Sequence, residues 1–175
     1  MAEPTNDTMA LDGLWQIVFD RENTGLEQNW QRPGQFPEQE AREIPVPSCW
    51  EEHEEDYEGV AWYTREIAVP AAWRGQVVRL HFAAVNAHAE VWLNGDMVGG
   101  GTSGYTPVEF DVTQVLRCGQ QNRLVVRVVG PAVRAERVGQ YVQNETAHWR
   151  GGYVGGIWQS VSLTATDPVF VRDIF

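Results

Sequence analysis

The sequence has few cysteines and no long apolar run, and each scarcity excludes a class of protein. Cys49 and Cys118 are the only cysteines in 175 residues, too few for the disulfide framework of a small secreted domain. We expect two free, mostly buried thiols, with a disulfide between them as the alternative. No apolar run approaches the roughly 20 residues that a membrane helix needs.

Positive charge is also scarce. The chain has 13 basic and 24 acidic residues, and its formal net charge is −11. This balance argues against nucleic acids and anionic membranes as partners. Residues 1–10 contain no basic stretch followed by an apolar one. No secretory signal peptide is therefore visible, and a cytoplasmic location is expected.

Motifs for catalysis and metal binding are absent too. The histidines and cysteines lack the spacing of zinc ligands, and the acidic residues between positions 51 and 58 lack the glycine-spaced pattern of a calcium loop. No serine-nucleophile motif occurs. We therefore predict no metal, no cofactor and no catalytic residue in this chain.

What the sequence does contain is a series of short alternating segments. In residues 87–93, small apolar residues alternate with His88, Glu90 and Trp92, a period of two that predicts a strand. Asn94-Gly95 then predicts a two-residue type I′ turn, because both central positions need positive φ. This turn would set three cross-strand pairs, Leu93 with Asp96, Trp92 with Met97 and Val91 with Val98.

Similar alternation predicts further strands at residues 11–19, 60–69, 76–82, 123–130 and 157–164. Asp111 is expected to cap a single turn over residues 112–116. Many short strands joined by turns predict one all-β domain, a sandwich or jelly roll. The long connection at residues 131–156 has few strand signals, and connections of this length are usually functional.

Seven of these segments, in order, resemble one known family. They are LDGLWQIVFD, IPVPSCWEE, GVAWYTREIAVP, VWLNGDMVG, GTSGYTPVEFDVT, GQQNRLVVRV and GGIWQSVSL. Together they resemble the amino-terminal domain of glycoside hydrolase family 2, which includes β-galactosidases, β-glucuronidases and β-mannosidases. The resemblance implies a galactose-binding-domain-like jelly-roll β-sandwich over residues 11–166. Residues 1–10 would be a disordered tail, and residues 167–175 a linker or the first strand of a following immunoglobulin-like domain.

The same resemblance implies a function. The family hydrolyses terminal β-linked sugars with retention, using two carboxylates that lie in a carboxy-terminal barrel. The chain would then be a non-catalytic accessory domain of a retaining exo-glycosidase, inactive alone, that braces the barrel and shapes its sugar entrance. Its partners would be the following immunoglobulin-like and barrel domains, an oligosaccharide substrate and, as one option, further copies of itself. The alternatives are a free-standing carbohydrate-binding module and a structural interaction domain without sugar affinity.

Candidate contact residues lie in the loop QYVQNETAHWRGGY, residues 140–153. Its aromatic rings can stack on the C–H faces of sugars, and its polar groups can bond hydroxyls. They can equally pack against a neighbouring domain. The candidates for sugar or interdomain contact are Glu145, His148, Trp149, Arg150 and Tyr153.

In several members of the resembled family, the corresponding loop places a carboxylate against the substrate sugar. An ungapped count from Ile157 puts that position at Arg150, whereas a gap among the glycines would put it at Glu145. A second set of candidates follows the IPVP segment, namely Trp50, His53 and Tyr57. Trp62 and Tyr63 are expected to line the sheets instead.

Overall fold

The structure is a computed structural model that describes residues 6–131, 133, 148–149 and 152–169. Nearly all of its regular elements are strands. Two short 3-10 turns occur at Trp50–Glu52 and Ala71–Trp73. The strands are β1 Asn6–Ala10, β2 Gly13–Phe19, β3 Arg42–Val46, β4 Val60–Ala68, β5 Val77–Phe82, β6 Val85–Leu93, β7 Asp96–Ser103, β8 Val108–Asp111, β9 Gln121–Val129, β10 His148–Trp149, β11 Gly152–Tyr153 and β12 Val161–Thr166.

These strands form two antiparallel sheets and one small hairpin. The larger sheet has the order β3-β2-β4-β9-β6-β7, the smaller one β1-β12-β5-β8, and β10 pairs with β11 alone. The two sheets enclose a common apolar core. The predicted all-β jelly-roll sandwich is thereby confirmed.

The core between the sheets follows from the alternation in the sequence. In β5, Val78, Leu80 and Phe82 are buried, and the residues between them are only partly buried. Successive side chains of a strand point to opposite faces, so one face enters the core. We call the apolar residues between the sheets the inner core; it includes Trp15, Ile17, Leu80, Phe82, Val91, Leu93 and Val126.

The central hairpin confirms most of the predicted register. Asn94 and Gly95 have φ values of 56° and 93°, as a type I′ turn requires. Leu93 faces Asp96 and Trp92 faces Met97, as predicted.

One predicted pair of this hairpin is wrong. Val91 lies opposite Gly99 rather than Val98, because the register shifts between Val91 and Trp92. Such a bulge puts one extra residue on β7. A Cβ on Gly99 would lie 2.6 Å from the ring of Phe110, so only glycine fits this approach.

The predicted disordered tail over residues 1–10 needs a correction. Residues 6–10 form β1, which pairs antiparallel with β12 from Asn6 opposite Thr166 to Ala10 opposite Ser162. The ladder satisfies backbone groups that the sequence pattern did not assign. Residues 1–5 and 170–175 lie outside the described residues, so a following domain at 167–175 stays a prediction.

The structure also tests the predicted capped turn, the state of the two cysteines and the start of the last strand. The Asp111 carboxylate accepts the Thr113 N–H at 2.9 Å and caps the predicted turn. Cys49 and Cys118 are free, as expected, but half-buried rather than fully buried. The last strand begins at Val161, four residues later than predicted, although Ile157 is fully buried.

A second apolar cluster lies on the outer face of the larger sheet. The segment of residues 21–41 covers this face and packs Trp30 and Phe36 against Trp62 and Trp92. The rings of Trp62 and Trp92 stack at 5.5 Å between centroids. We call this the outer cluster; its buried members are Val18, Trp30, Phe36, Val60, Trp62, Trp92, Val125 and Val129.

Candidate functional site

One end of the sandwich carries both sets of candidate residues, as far as the structure describes them. We call it the loop end, formed by residues 48–59, 83–86, 103–107, 148–149 and 152–160. Backbone hydrogen bonds join its first and last segments, from Ser48 N to Ile157 O and from Trp50 N to Gly155 O, both at 3.1 Å. The loop after β3 and the segment before β12 therefore form one unit.

The other two segments join the same end. Ala83 N–H donates to Ser160 O at 2.9 Å, and Val85 lies opposite Ser103 where β7 ends. Four segments that are distant in sequence thus meet where the strands of both sheets finish.

Trp50 is the buried anchor of the loop end. Its side chain is fully buried, and its indole N–H donates to Tyr57 O at 3.1 Å. The ring meets Tyr57 edge-on at 5.5 Å between centroids. A Cβ on Gly155 would lie 2.1 Å from the indole, so the chain passes Trp50 only because residue 155 is glycine.

Tyr57 is buried beside Trp50. Its hydroxyl donates to Val60 O at 2.7 Å and accepts the Val60 N–H at 3.1 Å, so it closes the loop onto β4. Burial raises the pKa of Tyr57 to about 12, and the phenol stays protonated at neutral pH. Both predicted contact rings, Trp50 and Tyr57, face inward in this domain. Their contact with a sugar or another domain stays a prediction.

His53 differs from its two aromatic neighbours because it is exposed. It follows the 3-10 turn Trp50–Glu52 and precedes Glu54, which forms ion pairs with Arg21 and Arg42. The hydrogen bond from Arg42 and the charge of both guanidinium groups lower the pKa of Glu54. Of the second candidate set, only His53 is accessible on the described surface.

Glu51 ties the two long segments together. One carboxylate oxygen accepts the Gly155 N–H at 2.8 Å. The other oxygen is buried and has no hydrogen-bond partner among the described residues. Burial raises the pKa of Glu51, and the charge of Glu58 adds to the rise. The sequence pattern did not single out this residue, because it sits within an ordinary acidic run.

The candidate loop itself is described only as a hairpin backbone. His148 pairs with Tyr153 and Trp149 with Gly152. Of the five candidates, the described backbone thus brings together His148, Trp149 and Tyr153. Glu145 and Arg150 lie outside the described residues, so which of them holds the family's carboxylate position stays open.

Exposed Tyr105 and partly buried Trp158 form an aromatic pair that the sequence pattern did not predict. Their ring centroids lie 5.7 Å apart at an interplanar angle of 89°. The Trp158 indole N–H donates to Gly104 O at 3.0 Å. The sequence shows one aromatic residue in each of two loops that follow or precede a strand. Only the fold brings these two loops together.

The described part of the chain contains no group of three or more His, Cys, Asp and Glu side chains that could hold a metal ion. Within the same residues, none of the helices is both long enough and apolar enough to cross a membrane.

Comparison with known sequences gives the same picture as the fold. The profile described as "Glycosyl hydrolases family 2, sugar binding domain" matches residues 54–167. A β-glucuronidase of Paenibacillus borealis is 31% identical over 129 residues, which are 71% of this chain and 21% of that protein. A β-galactosidase of Thermoanaerobacter pseudethanolicus is 32% identical over 123 residues, 70% of this chain and 16% of that protein.

Solved structures of family 2 enzymes share the fold of this chain. The β-glucuronidase of Ruminococcus gnavus superposes with a TM-score of 0.77 at 26% identity, covering 95% of this chain and 29% of that one. The chain therefore spans less than a third of the length of the relatives described here. The matched residues and the shared fold show that the chain belongs to the sugar binding domain family of the family 2 glycosyl hydrolases.

Proposed function

We propose that this domain is a non-catalytic accessory part of a retaining exo-glycosidase, where it braces the catalytic barrel and shapes the sugar entrance. The observation that carries the proposal is the clamp at the base of the candidate hairpin. Trp50 and Glu51 both hold Gly155, two residues after Tyr153. A loop whose base is anchored on a buried tryptophan and a carboxylate starts from a defined backbone position, which a sugar entrance requires.

The proposal assigns catalysis to another part of the enzyme. Retaining hydrolysis needs two carboxylates about 5 Å apart, one as acid and base and one as nucleophile. Members of the resembled family carry both in a barrel outside this domain. The purified 175-residue chain should therefore release no nitrophenol from the 4-nitrophenyl β-glucuronide, β-galactoside or β-mannoside. Turnover that survives repurification would contradict the accessory role.

Sugar contact is tested by titrating the chain with the methyl glycosides of the same sugars while recording tryptophan fluorescence. We expect a saturable change that Trp149→Ala and Tyr153→Ala weaken. Met97→Ala is the control, because Met97 is 58% exposed at the opposite end of β7 from Ser103. No change with any sugar would favour the alternative of a structural interaction domain.

The proposed partners are an immunoglobulin-like domain and a barrel of the same polypeptide. The reading frame should then continue past Phe175 into both. Hydrogen exchange of residues 48–59 and 152–160 should be slower in that longer protein than in the isolated chain. A stop codon after Phe175 would instead favour a free-standing carbohydrate-binding module.

A further inference from the structure

Among the described aromatic side chains, Tyr105 is exposed and Trp158 is only partly buried. Seven tryptophan side chains are described; six of them are 7% exposed or less, and Trp158 is the exception. Tyr105 is 54% exposed. Both follow a buried neighbour, Gly104 and Ile157 respectively. The pair therefore lies above the core instead of filling it.

The loop that carries Tyr105 is held in place by its own polar groups. The buried Ser103 hydroxyl accepts the Thr106 N–H at 2.9 Å and lies 3.0 Å from the Thr106 hydroxyl. The Trp158 indole then bonds Gly104 O from the other segment. Two hydrogen-bonded anchors fix an exposed ring on a tight turn. Such a ring loses little conformational entropy when a ligand covers it.

The two rings meet edge to face. The planes of the two rings are nearly perpendicular, with an angle of 89° between them. A pyranose fits this shape, because the apolar C–H side of the sugar can stack on one ring while the second ring flanks it. The net charge of −11 repels anions in general, and a neutral sugar does not meet this repulsion. Stacking itself needs no charge.

We propose that Tyr105 and Trp158 form a stacking platform for an uncharged pyranoside, separate from the candidate hairpin at residues 148–153. The inference rests on the proposed sugar-binding role of the loop end. It adds a subsite and its ligand class: neutral sugars at this platform, with uronic acids excluded from it. The platform would guide the neutral part of an oligosaccharide across the loop end.

The test is a nuclear magnetic resonance titration of the whole chain. The Trp158 indole N–H gives its own signal, which Trp158→Phe identifies by removing it. We expect methyl β-D-galactopyranoside to shift this signal in a saturable way and methyl β-D-glucopyranosiduronic acid to leave it unchanged. A Trp158 signal that is indifferent to the neutral sugar, or that responds equally to the uronic acid, would overturn the inference.

Matched variants separate stacking from structure. Tyr105→Ala should weaken binding of the neutral sugar roughly five- to tenfold, the size expected for one aromatic contact. Tyr105→Phe keeps the ring and should bind within about twofold of the native chain. Since Tyr105 is exposed, its variants should have the same melting temperature as the native chain, which a thermal unfolding curve measures. Equal affinity for Tyr105→Ala and the native chain would refute the platform.

Trp149→Ala distinguishes this inference from the proposed function. If Trp149→Ala abolishes sugar binding and Tyr105→Ala does not, the hairpin binds sugar and the platform is refuted. If the Trp158 shift persists in Trp149→Ala and disappears in Tyr105→Ala, the platform stands whatever the hairpin does. The activity assay and the reading frame past Phe175 test the accessory role without either variant.

Discussion

The inner core and the outer cluster lie on opposite faces of the same larger sheet, and they are stabilised in different ways. The inner core joins residues from both sheets, nearly all of them aliphatic or aromatic. The outer cluster packs Trp30 of the segment of residues 21–41 against Trp62 and Trp92 of the sheet, and it has buried charges at its border. The inner core follows from the alternation within the strands, whereas the outer cluster forms only when the segment of residues 21–41 packs on the sheet.

Asp20 shows how that segment is fixed. The residue is 3% exposed, and one oxygen accepts the Thr24 N–H at 2.8 Å. The other accepts the Gly25 N–H at 2.9 Å and the Trp62 indole N–H at 3.0 Å. Charge-assisted bonds of this kind offset the cost of burying a carboxylate. The comparison shows that a face without a second sheet can be closed by a buried polar anchor.

Arg127 provides a second buried charge beside the same cluster. Its guanidinium forms an ion pair with Glu90 and donates to the Asn23 side chain at 2.7 Å. It also lies 6.0 Å from the centre of the Trp62 ring. The beginning of the covering segment is thus bonded to β9 as well as to β4.

The largest expected effect is in the inner core. Phe82→Ala should lower the free energy of unfolding by about 3–5 kcal/mol, because Phe82 is fully buried and its removal leaves a cavity. Urea unfolding followed by tryptophan fluorescence measures this loss. Met97→Ala, on an exposed edge, should change stability by less than about 0.5 kcal/mol. Similar losses for the two variants would contradict the assignment of the core.

Asp20→Ala should cost about 3 kcal/mol, since three buried donors lose a charged acceptor. Asp20→Asn, which keeps one acceptor oxygen and a similar shape, should cost less. Hydrogen exchange at residues 21–40 should accelerate in Asp20→Ala before exchange in β5 or β12 changes. Uniform acceleration throughout the chain would show that the outer cluster and the inner core unfold as one unit.

The hairpin turn at Asn94 and Gly95 joins β6 to β7. Its double variant has the next-largest expected loss of stability. Asn94→Ala with Gly95→Ala should cost ~1–3 kcal/mol, because the turn needs positive φ at both positions. A Cβ on Gly95 would also lie 2.9 Å from Pro33 of the covering segment. The Asn94 amide further donates to Val115 O at 2.9 Å. Unchanged thermal stability would refute the importance of the turn.

Glu51 at the loop end contrasts with Asp20, because one of its oxygens has no hydrogen-bond partner in the part of the chain that the structure describes. Its folded pKa is raised by burial. The stability of the native protein relative to Glu51→Gln is therefore greatest below the ordinary glutamate pKa, and it falls as pH rises through the raised pKa. Unfolding curves of both proteins between about pH 4 and pH 7, a range that spans the ordinary glutamate pKa, measure the difference. A difference independent of pH would contradict the shift.

Cys49 should show the smallest effect, on reactivity instead of stability. Burial raises the pKa of its thiol, and the nearby charges of Glu51 and Glu52 add to the rise. Because the thiolate is the nucleophile, iodoacetamide should react more slowly with Cys49 than with a short cysteine peptide at pH 8 (pH chosen near the ordinary thiol pKa). The Cys118→Ser variant isolates the signal. Reaction as fast as that of the peptide would show that the thiol is not perturbed.

Much of the fold was predictable because its signals are local. Alternation in β4, β5, β6 and β9 placed the inner core, and Asn94-Gly95 set the first pairs of the hairpin. The bulge opposite Val91 was not predictable, because it depends on the contact of Gly99 with Phe110 across the two sheets. Strand β1 was missed because its pairing with β12 joins the two ends of the described chain.

The candidate site, too, has features that the sequence predicted and features that only the fold revealed. The sequence motifs identified the family and the loop that carries His148, Trp149 and Tyr153. They did not reveal that Trp50 and Tyr57 point inward, since burial depends on the glycines and on Val60, which come close only in the fold. Glu51 and the Tyr105–Trp158 pair were missed for the same reason.

By itself, the sequence determined the strand pattern, the central turn, the all-β class and the family resemblance, because each depends on residues close together along the chain. Tertiary structure alone decided which aromatic residues are buried, how Asp20 anchors the outer cluster, and which four segments meet at the loop end. These features depend on contacts between residues tens of positions apart. Their energies come from burial and hydrogen bonds that exist only after the two sheets have packed.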